Sequence, residues 1–348
     1  MARTPSPGAT VRAIAAEAGV SIATVSRVMN GRVPVAPATR ELVRQAAERL
    51  SVRTPDARGA DAGAVYVHCP YALTDYFGLI VSSIAETLDL HGRRLILGAG
   101  TGPRHSVALA ALPADPDVAG AIMVLPPEPS EELEVLRARG LPLVVIDPMT
   151  PLRPDIAAVS AAHVAGARSV TAHLTSLGHR RIGMINGPSE WLVSHSRLVG
   201  HTSALAEIGT LAEPELVRSI EPTVQHGYEA ACELLDLARA PSAIVAFNDK
   251  AAVGVLRAAS ERSLRVPEDI SVTGYDDIDL GRSTTPAITT VRQPLEEMGR
   301  MAVSPLMRLV AGHAVDTLHI ELATHLIVRG STASVSTSAP VRLRGPAG

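Results

Sequence analysis

From residue 64 onward the chain alternates short apolar runs with amphipathic stretches of helical period. No other feature limits its fold so strongly. "AVYVH" (64–68) precedes a helical pattern over 75–90, "RLILG" (94–98) one over 105–112, and "GAIMVL" (120–125) one over 130–139, before "LVVID" (143–147). After a break the alternation resumes with helix 163–176, "RIGMI" (181–185), helices 195–208 and 226–239, "AIVAF" (243–247), helix 249–262 and "ISVTGYDD" (270–277). Strands alternating with helices build parallel, helix-covered sheets. Two such blocks predict two similar α/β subdomains, and sheets of this kind take ligands beyond the carboxyl ends of their strands. A helix over 294–311 and a strand-like segment over 318–329 close the fold.

The first sixty residues have a different pattern. Residues 1–9 are rich in Pro, Ser and Gly and are expected to be disordered. Thr10 can cap a helix over 11–18 that Gly19 ends. Ser21 can cap a second over 22–29, and Pro37 starts a third with Leu42, Val43, Ala46, Ala47 and Leu50 on one face. Apolar Ile14, Ala15 and Ala18 on the first helix would meet Val25, Val28 and Met29 on the second. Two helices joined across "AGVS" and followed by a third fit a helix-turn-helix, whose second helix enters the major groove of DNA. The hydroxyls of Ser21, Thr24 and Ser26 suit phosphates, which position without specifying. Ile22 and Ala23 suit thymine methyls, and Arg27 suits a guanine edge. Thr10 and Asn30 complete the expected DNA-facing set.

Charge favours this over a helical bundle without a partner. The formal net charge of the 348 residues is −3, yet residues 1–58 hold nine arginines against four acids. That surplus of five leaves −8 on the remainder. A basic module on an acidic body is the footprint of a nucleic-acid binder. Lys250 is the only lysine, and aromatic residues make up 2% of the chain. Two cysteines, Cys69 and Cys232, are too few for a disulfide framework and are expected as buried thiols in a reducing cytoplasm. No run approaches the roughly 20 apolar residues that span a bilayer, and the N-terminus lacks the apolar segment of a secretory signal.

Catalytic and metal-binding patterns are weak. "LGAGTG" (97–102) departs from G-x-G-x-x-G, and Pro103 spoils the helix that should follow. There is no G-x-S-x-G elbow. His313, His319 and His325 lie six apart, as do His195 and His201, which is neither a helix face nor zinc spacing. No enzyme, cofactor or metal is expected.

The segment "VRAIAAEAGVSIATVSRVMNG" resembles the headpiece of the lac-repressor (LacI/GalR) family of bacterial transcription regulators. The resemblance runs in order through "TDYFGLIVSSIAETL", "LVVIDP", "TSLGHRRIGMINGP", "RLVGHTSAL", "AIVAFNDKAAVGVLRAASERSLRVPEDISVTGYDDIDL", "TTVRQPLEEMG" and "HLIVRGSTA", covering roughly residues 10–333. It implies an N-terminal all-α helix-turn-helix headpiece (10–53) and a hinge or linker (54–63). An effector-binding and dimerisation core (64–333) of two doubly wound, periplasmic-binding-protein-like subdomains would follow. One subdomain would take about 64–163 plus 293–322, the other about 164–292 plus 323–333, with a disordered tail over 334–348. It further implies a cytoplasmic repressor, a homodimer on a pseudo-palindromic double-stranded DNA operator, and a small effector, carbohydrate in character, in the cleft. The alternative is a small-molecule binding protein of periplasmic type with weak or no DNA binding, against which the basic headpiece speaks.

By resemblance, Arg197 in "RLVG" and Asp276 in "GYDD" are the principal polar effector contacts. Asn248 in "FND" and Asp147 in "VVID" support them. A forked guanidinium and a carboxylate can hold adjacent hydroxyls with charge-assisted bonds. Tyr76 and Phe77 match the family's aromatic pair at the mouth of the first subdomain, Tyr76 being the better candidate for ligand contact. Structural readings stand beside these: Asp276 and Asp277 can order a loop, and Asn248 can cap a helix. Trp191, the chain's only Trp, lies six residues before Arg197 and lines either the cleft or a surface loop.

The chain departs from the family pattern in four places. Pro222 and Leu295 stand where the family often has aromatics that stack on a sugar ring. Ala36 stands where the family usually caps the third helix with Ser, a loss of about 0.5–2 kcal/mol. The linker "RTPDARGADAGA" lacks the leucine that family members wedge into the minor groove, and its Gly59 costs roughly 1 kcal/mol against Ala in a helix.

Overall fold

The computed structural model describes residues 7–22, 24–25, 28, 36–49, 63–99, 109–315 and 318–335. Ala23, Ser26, Arg27 and Asn30, the linker through residue 62 and the start of the helix expected over 105–112 lie outside the described residues.

In the N-terminal module, α1 (Pro7–Ala18) packs on α2 (Pro37–Arg49) through Ile14, Ala15, Val25, Val43 and Ala46. Gly19 ends α1 at φ +67°, a left-handed position where glycine carries no Cβ penalty. Ser21 Oγ accepts from the Thr24 backbone N–H at 3.0 Å, the N-cap expected of it. Two expectations are corrected. Residues 7–9 are helical and Thr10 lies inside α1 rather than capping it. Leu42 is exposed, while Val43 and Ala46 turn to the core.

The core contains two parallel sheets. The strands of the first are β1 (Ala64–Cys69), β2 (Leu95–Ala99), β3 (Val118–Val124), β4 (Leu143–Ile146), β5 (Ala157–Ala161) and β11 (His319–Leu322), in the order β2-β1-β3-β4-β5-β11. The second has β6 (Ile182–Asn186), β7 (Val217–Ser219), β8 (Ala243–Ala246) and β9 (Ser271–Thr273), in the order β7-β6-β8-β9. A two-stranded antiparallel ribbon, β10 (Thr290–Arg292) with β12 (His325–Ile327), accompanies them.

The inner strands of both sheets are buried on both faces, as the unbroken apolar runs require. In the first, Val65, Val67, Ile122, Val124, Val144 and Ile146 pack with α3 (Asp75–Leu90) and α10 (Leu295–Val310). The alternate residues Tyr66, Ala121, Met123, Leu143 and Val145 face Leu133 and Leu136 of α4 (Ser130–Ala138). In the second, Ile244 and Ala246 pack with α7 (Val224–Leu235) and α8 (Asp249–Glu261). Ala243 and Val245 meet α5 (His163–Ser176) and α6 (Leu192–Glu207). The short α9 (Asp279–Arg282) follows β9.

Helices expected over 75–90 and 163–176 stand at those bounds, while α6 begins three residues early, at Leu192. The expected 105–112 helix is represented by helical residues 109–111 and a 3₁₀ turn over Leu112–Ala114. The strand-like 318–329 segment divides between two sheets: β11 joins β5 of the first, and β12 joins the ribbon. Residues 334 and 335, expected in a disordered tail, are among those described, and the Val335 N–H donates to Leu177 O at 2.9 Å. Cys69 is buried, but Cys232 is only half-buried beside the Arg262 guanidinium; both are free thiols.

In each sheet the strand order reverses at one place, between β1 and β3 and between β6 and β8. Crevices open beyond the carboxyl ends of strands at such switch points. The segments that leave these strands begin at residues 70, 125, 187 and 247. Lys250 Nζ donates to Thr74 Oγ1 at 3.2 Å and Leu192 N–H to Met149 O at 2.8 Å, so the two crevices face one another across a single cleft.

Candidate functional site

Arg197 sits on α6, buried to 5% exposure. Its guanidinium carbon lies 3.6 Å from the Tyr275 ring centroid and 4.4 Å from that of Phe247. Two aromatic faces and desolvation favour a cation there. One terminal nitrogen donates to the Phe247 carbonyl, and the other lies 4.0 Å from Asp276 Oδ1. Its Nε–H is buried without an acceptor. An orphaned donor on a buried charge costs free energy that a ligand can restore.

Asp276 follows β9 with φ +105°, in a conformation few non-glycine residues adopt. Its Oδ1 accepts from Gln293 Nε2 at 2.7 Å. Burial pushes its pKa up to about 6, against the pull of Arg197 and Gln293. Asp277, at φ +60°, has a wholly buried side chain. It accepts from Arg292 at 2.6 Å, Arg282 at 3.0 Å and Arg329, so it orders the loop.

Asp147 ends β4 at φ +46°. Its Oδ1 accepts from the Ala161 N–H at 3.2 Å and from His163 Nε2 at 3.0 Å, and its Oδ2 from the Tyr76 hydroxyl at 3.0 Å. Burial raises its pKa, but the His163 charge and these bonds outweigh that and hold it below the ordinary carboxyl value. Burial and the neighbouring Asp147 charge keep the Tyr76 pKa well above normal, so Tyr76 stays a neutral donor. Phe77 stacks on Tyr71 at 4.6 Å and meets Tyr76 edge-on at 5.0 Å.

Trp191 meets Phe247 edge-on with centroids 6.1 Å apart, one ring removed from Arg197. Asn248 Oδ1 accepts from the Ala251 N–H at 2.8 Å and caps α8, the structural role weighed for it. Its Nδ2 lies 3.5 Å from the Pro222 carbonyl. Leu295 is buried in the core of the first sheet.

The structure thus gathers Tyr76, Asp147, Trp191, Arg197, Asn248 and Asp276, with Phe77 behind Tyr76. Sequence reasoning passed over Phe247, Tyr275, His163, Gln293 and Lys250. In a chain with two phenylalanines, one directly before Asn248 and a tyrosine directly before Asp276 were signals available in the sequence. A separate hollow of about 380 Å³ lies between Leu109 and α4, lined by none of these residues. Among the described residues no group of three or more His, Cys, Asp or Glu could hold a metal, and no helix is long and apolar enough to cross a membrane.

In the headpiece, Ile22 is half exposed at the start of the second helix. Ser21 and Thr24 share a hydroxyl–hydroxyl bond of 2.8 Å beside the cap.

A helix-turn-helix module joined to two facing, doubly wound lobes defines a DNA-binding protein with a ligand-sensing core. Residues 10–53 match the family described as bacterial regulatory proteins, lacI family, and residues 171–332 match the periplasmic binding protein-like domain. The transcriptional regulator MalR of Streptomyces coelicolor is 35% identical, the match covering 92% of this chain and 96% of that protein. The repressor CytR of Escherichia coli is 31% identical, over 93% and 96%. Among solved structures, the regulator CelR in complex with cellobiose aligns at TM-score 0.73 and 30% identity, covering 94% of this chain and all of that one. The lac repressor dimer bound to operator and the anti-inducer ONPF aligns at 0.71 and 27%, over 92% and 98%. The chain belongs to the LacI family of bacterial transcription regulators.

Proposed function

We infer that the protein is a repressor that binds a pseudo-palindromic operator as a homodimer in the cytoplasm. A small polar effector, carbohydrate in character, held between the lobes controls its affinity. The observation that carries the reading is Arg197, a buried guanidinium with an unanswered Nε–H between two aromatic rings and beside Asp276. Arg197 and Asp276 hold the ligand's hydroxyls, Trp191 and Phe247 cover an apolar face, and Asp147 sets Tyr76 at the mouth. Asn248 shapes the α8 terminus beneath the ligand. Ser21, Ile22, Ala23, Thr24, Ser26 and Arg27, with Thr10 and Asn30, form the DNA-facing set. The exposed apolar side chains Ile96 and Leu97 on the edge strand β2 supply a surface for a second copy. No reaction is proposed, since relatives across the full length are regulators. Calorimetric titration of a mono- and disaccharide panel into the full chain tests the reading. Saturable binding that Arg197→Ala abolishes is expected. Binding unaffected by that change contradicts it.

A further inference from the structure

Lys250, the chain's only lysine, stands on the first turn of α8 in the second lobe. Its ammonium reaches across the cleft mouth to the hydroxyl of Thr74, the N-cap residue of α3 in the first lobe. That hydroxyl makes no cap bond to its own helix. The N-termini of a 16-residue and a 13-residue helix therefore converge on one ammonium. Helix N-termini carry partial positive charge. The ammonium has no carboxylate within 4.0 Å among the described residues, and its single partner is a neutral oxygen.

Two of the nearby carboxylates are committed elsewhere. Asp249, next in sequence, turns inward to Thr290 and the Ile278 N–H. Asp147 is engaged by three donors. Asp276 feels the charges of both Arg197 and Lys250, but its Oδ1 is taken by Gln293. Asp75, exposed at the start of α3, makes no ion pair with Lys250. Among the described residues two cationic donors, Lys250 Nζ at the mouth and Arg197 Nε in the interior, are thus without an anionic acceptor. A carboxylate or phosphate oxygen forms shorter and stronger bonds to an ammonium than a hydroxyl does.

We propose that the effector carries an anionic group, a carboxylate or a phosphate ester, seated on Lys250 where α3 and α8 meet across the cleft. The inference rests on the polyol reading of the cleft and names the substituent that distinguishes this effector. Entry of the anion displaces Thr74 and replaces a lobe-to-lobe hydrogen bond with one from each lobe to the ligand.

The test is calorimetry on the full chain at fixed ionic strength. The probes are matched sets: glucose with glucuronate and glucose 6-phosphate, and ribose with ribose 5-phosphate. Inorganic phosphate alone is the control. A charged member should bind at least about tenfold tighter than its neutral parent. Lys250→Gln should erase that advantage while leaving the parent's affinity within about twofold, and the uronate and phosphate arms identify the anion. Because Lys250 is the only lysine, acylation followed by mass spectrometry reads it alone among side chains. The preferred anion should protect it and the neutral parent should not. Neutral parents binding as tightly as their charged partners, or an advantage that survives Lys250→Gln, overturn this proposal and leave the polyol reading standing. Failure of every member, neutral and charged, to bind overturns both.

Discussion

Arg197 is a cation whose surroundings are half protein and half unanswered. Two rings, the Phe247 carbonyl and a distant Asp276 offset its desolvation, while Nε–H finds no acceptor. Lysine has neither the planar face for Tyr275 nor the fork for a vicinal diol. Arg197→Lys is therefore expected to weaken effector binding about tenfold to a hundredfold, read by calorimetry, with the fold unchanged by circular dichroism. Asp249 supplies a second residue-level outcome. Burial, with Asp276 nearby, pushes its pKa up to about 7. The unfolded chain releases that proton near the ordinary value of about 4. Between the two the folded state holds more protons, so stability falls as pH rises and levels off above about 7. Buried His201, whose pKa burial lowers to about 4, contributes the opposite slope, so the difference is the readout: the melting temperature of the parent relative to that of Asp249→Asn should fall between about pH 4.5 and 7 and then level off. Arg197 and Asp276 were legible because their motifs were. The His163–Asp147–Tyr76 chain was not, because its bonds join residues 16 and 71 apart in sequence.

At the scale of elements, pattern located most helices and strands and failed where tertiary burial replaces propensity. The five-residue strand β5 is "AAVSA", three of its residues alanine, yet four of the five are buried. Alanine has little β propensity, so only the neighbours β4 and β11 make it a strand. The three-residue strands β7 and β10 were too short to register a period. Caps were more legible: Ser21 and Asn248 both accept from the N–H three residues on. Asn248→Ala should lower stability by about 0.5–2 kcal/mol in urea titration, and Asn248→Ser should restore most of it. Trp191 heads α6 against Phe247. Its emission should change in intensity or maximum when an effector saturates the cleft, and an emission spectrum that never responds counts against its place there.

For the whole molecule, hydrogen-bonded bridges join the two lobes outside the crossing strands. Among the described residues Lys250 to Thr74 and Leu192 to Met149 are two of them. Such a joint can open and close around a ligand, and β11 and β12, three residues apart in sequence, carry the chain from one lobe to the other. The linker between headpiece and core contains glycine and no leucine. A headpiece tethered this way is expected to dock by major groove and phosphates without a minor-groove wedge. Circularly permuted operator fragments should migrate nearly alike, whereas a strong position-dependent retardation would reveal a central kink.

Fluorescence anisotropy on a family-like pseudo-palindrome and on scrambled DNA, each across a salt series, tests the central claim most directly. A dimeric, sequence-specific regulator should prefer the palindrome by about 10³-fold or more and lose affinity steeply with salt. Equal, weak binding to both sequences across palindromes of varied half-site spacing would contradict it.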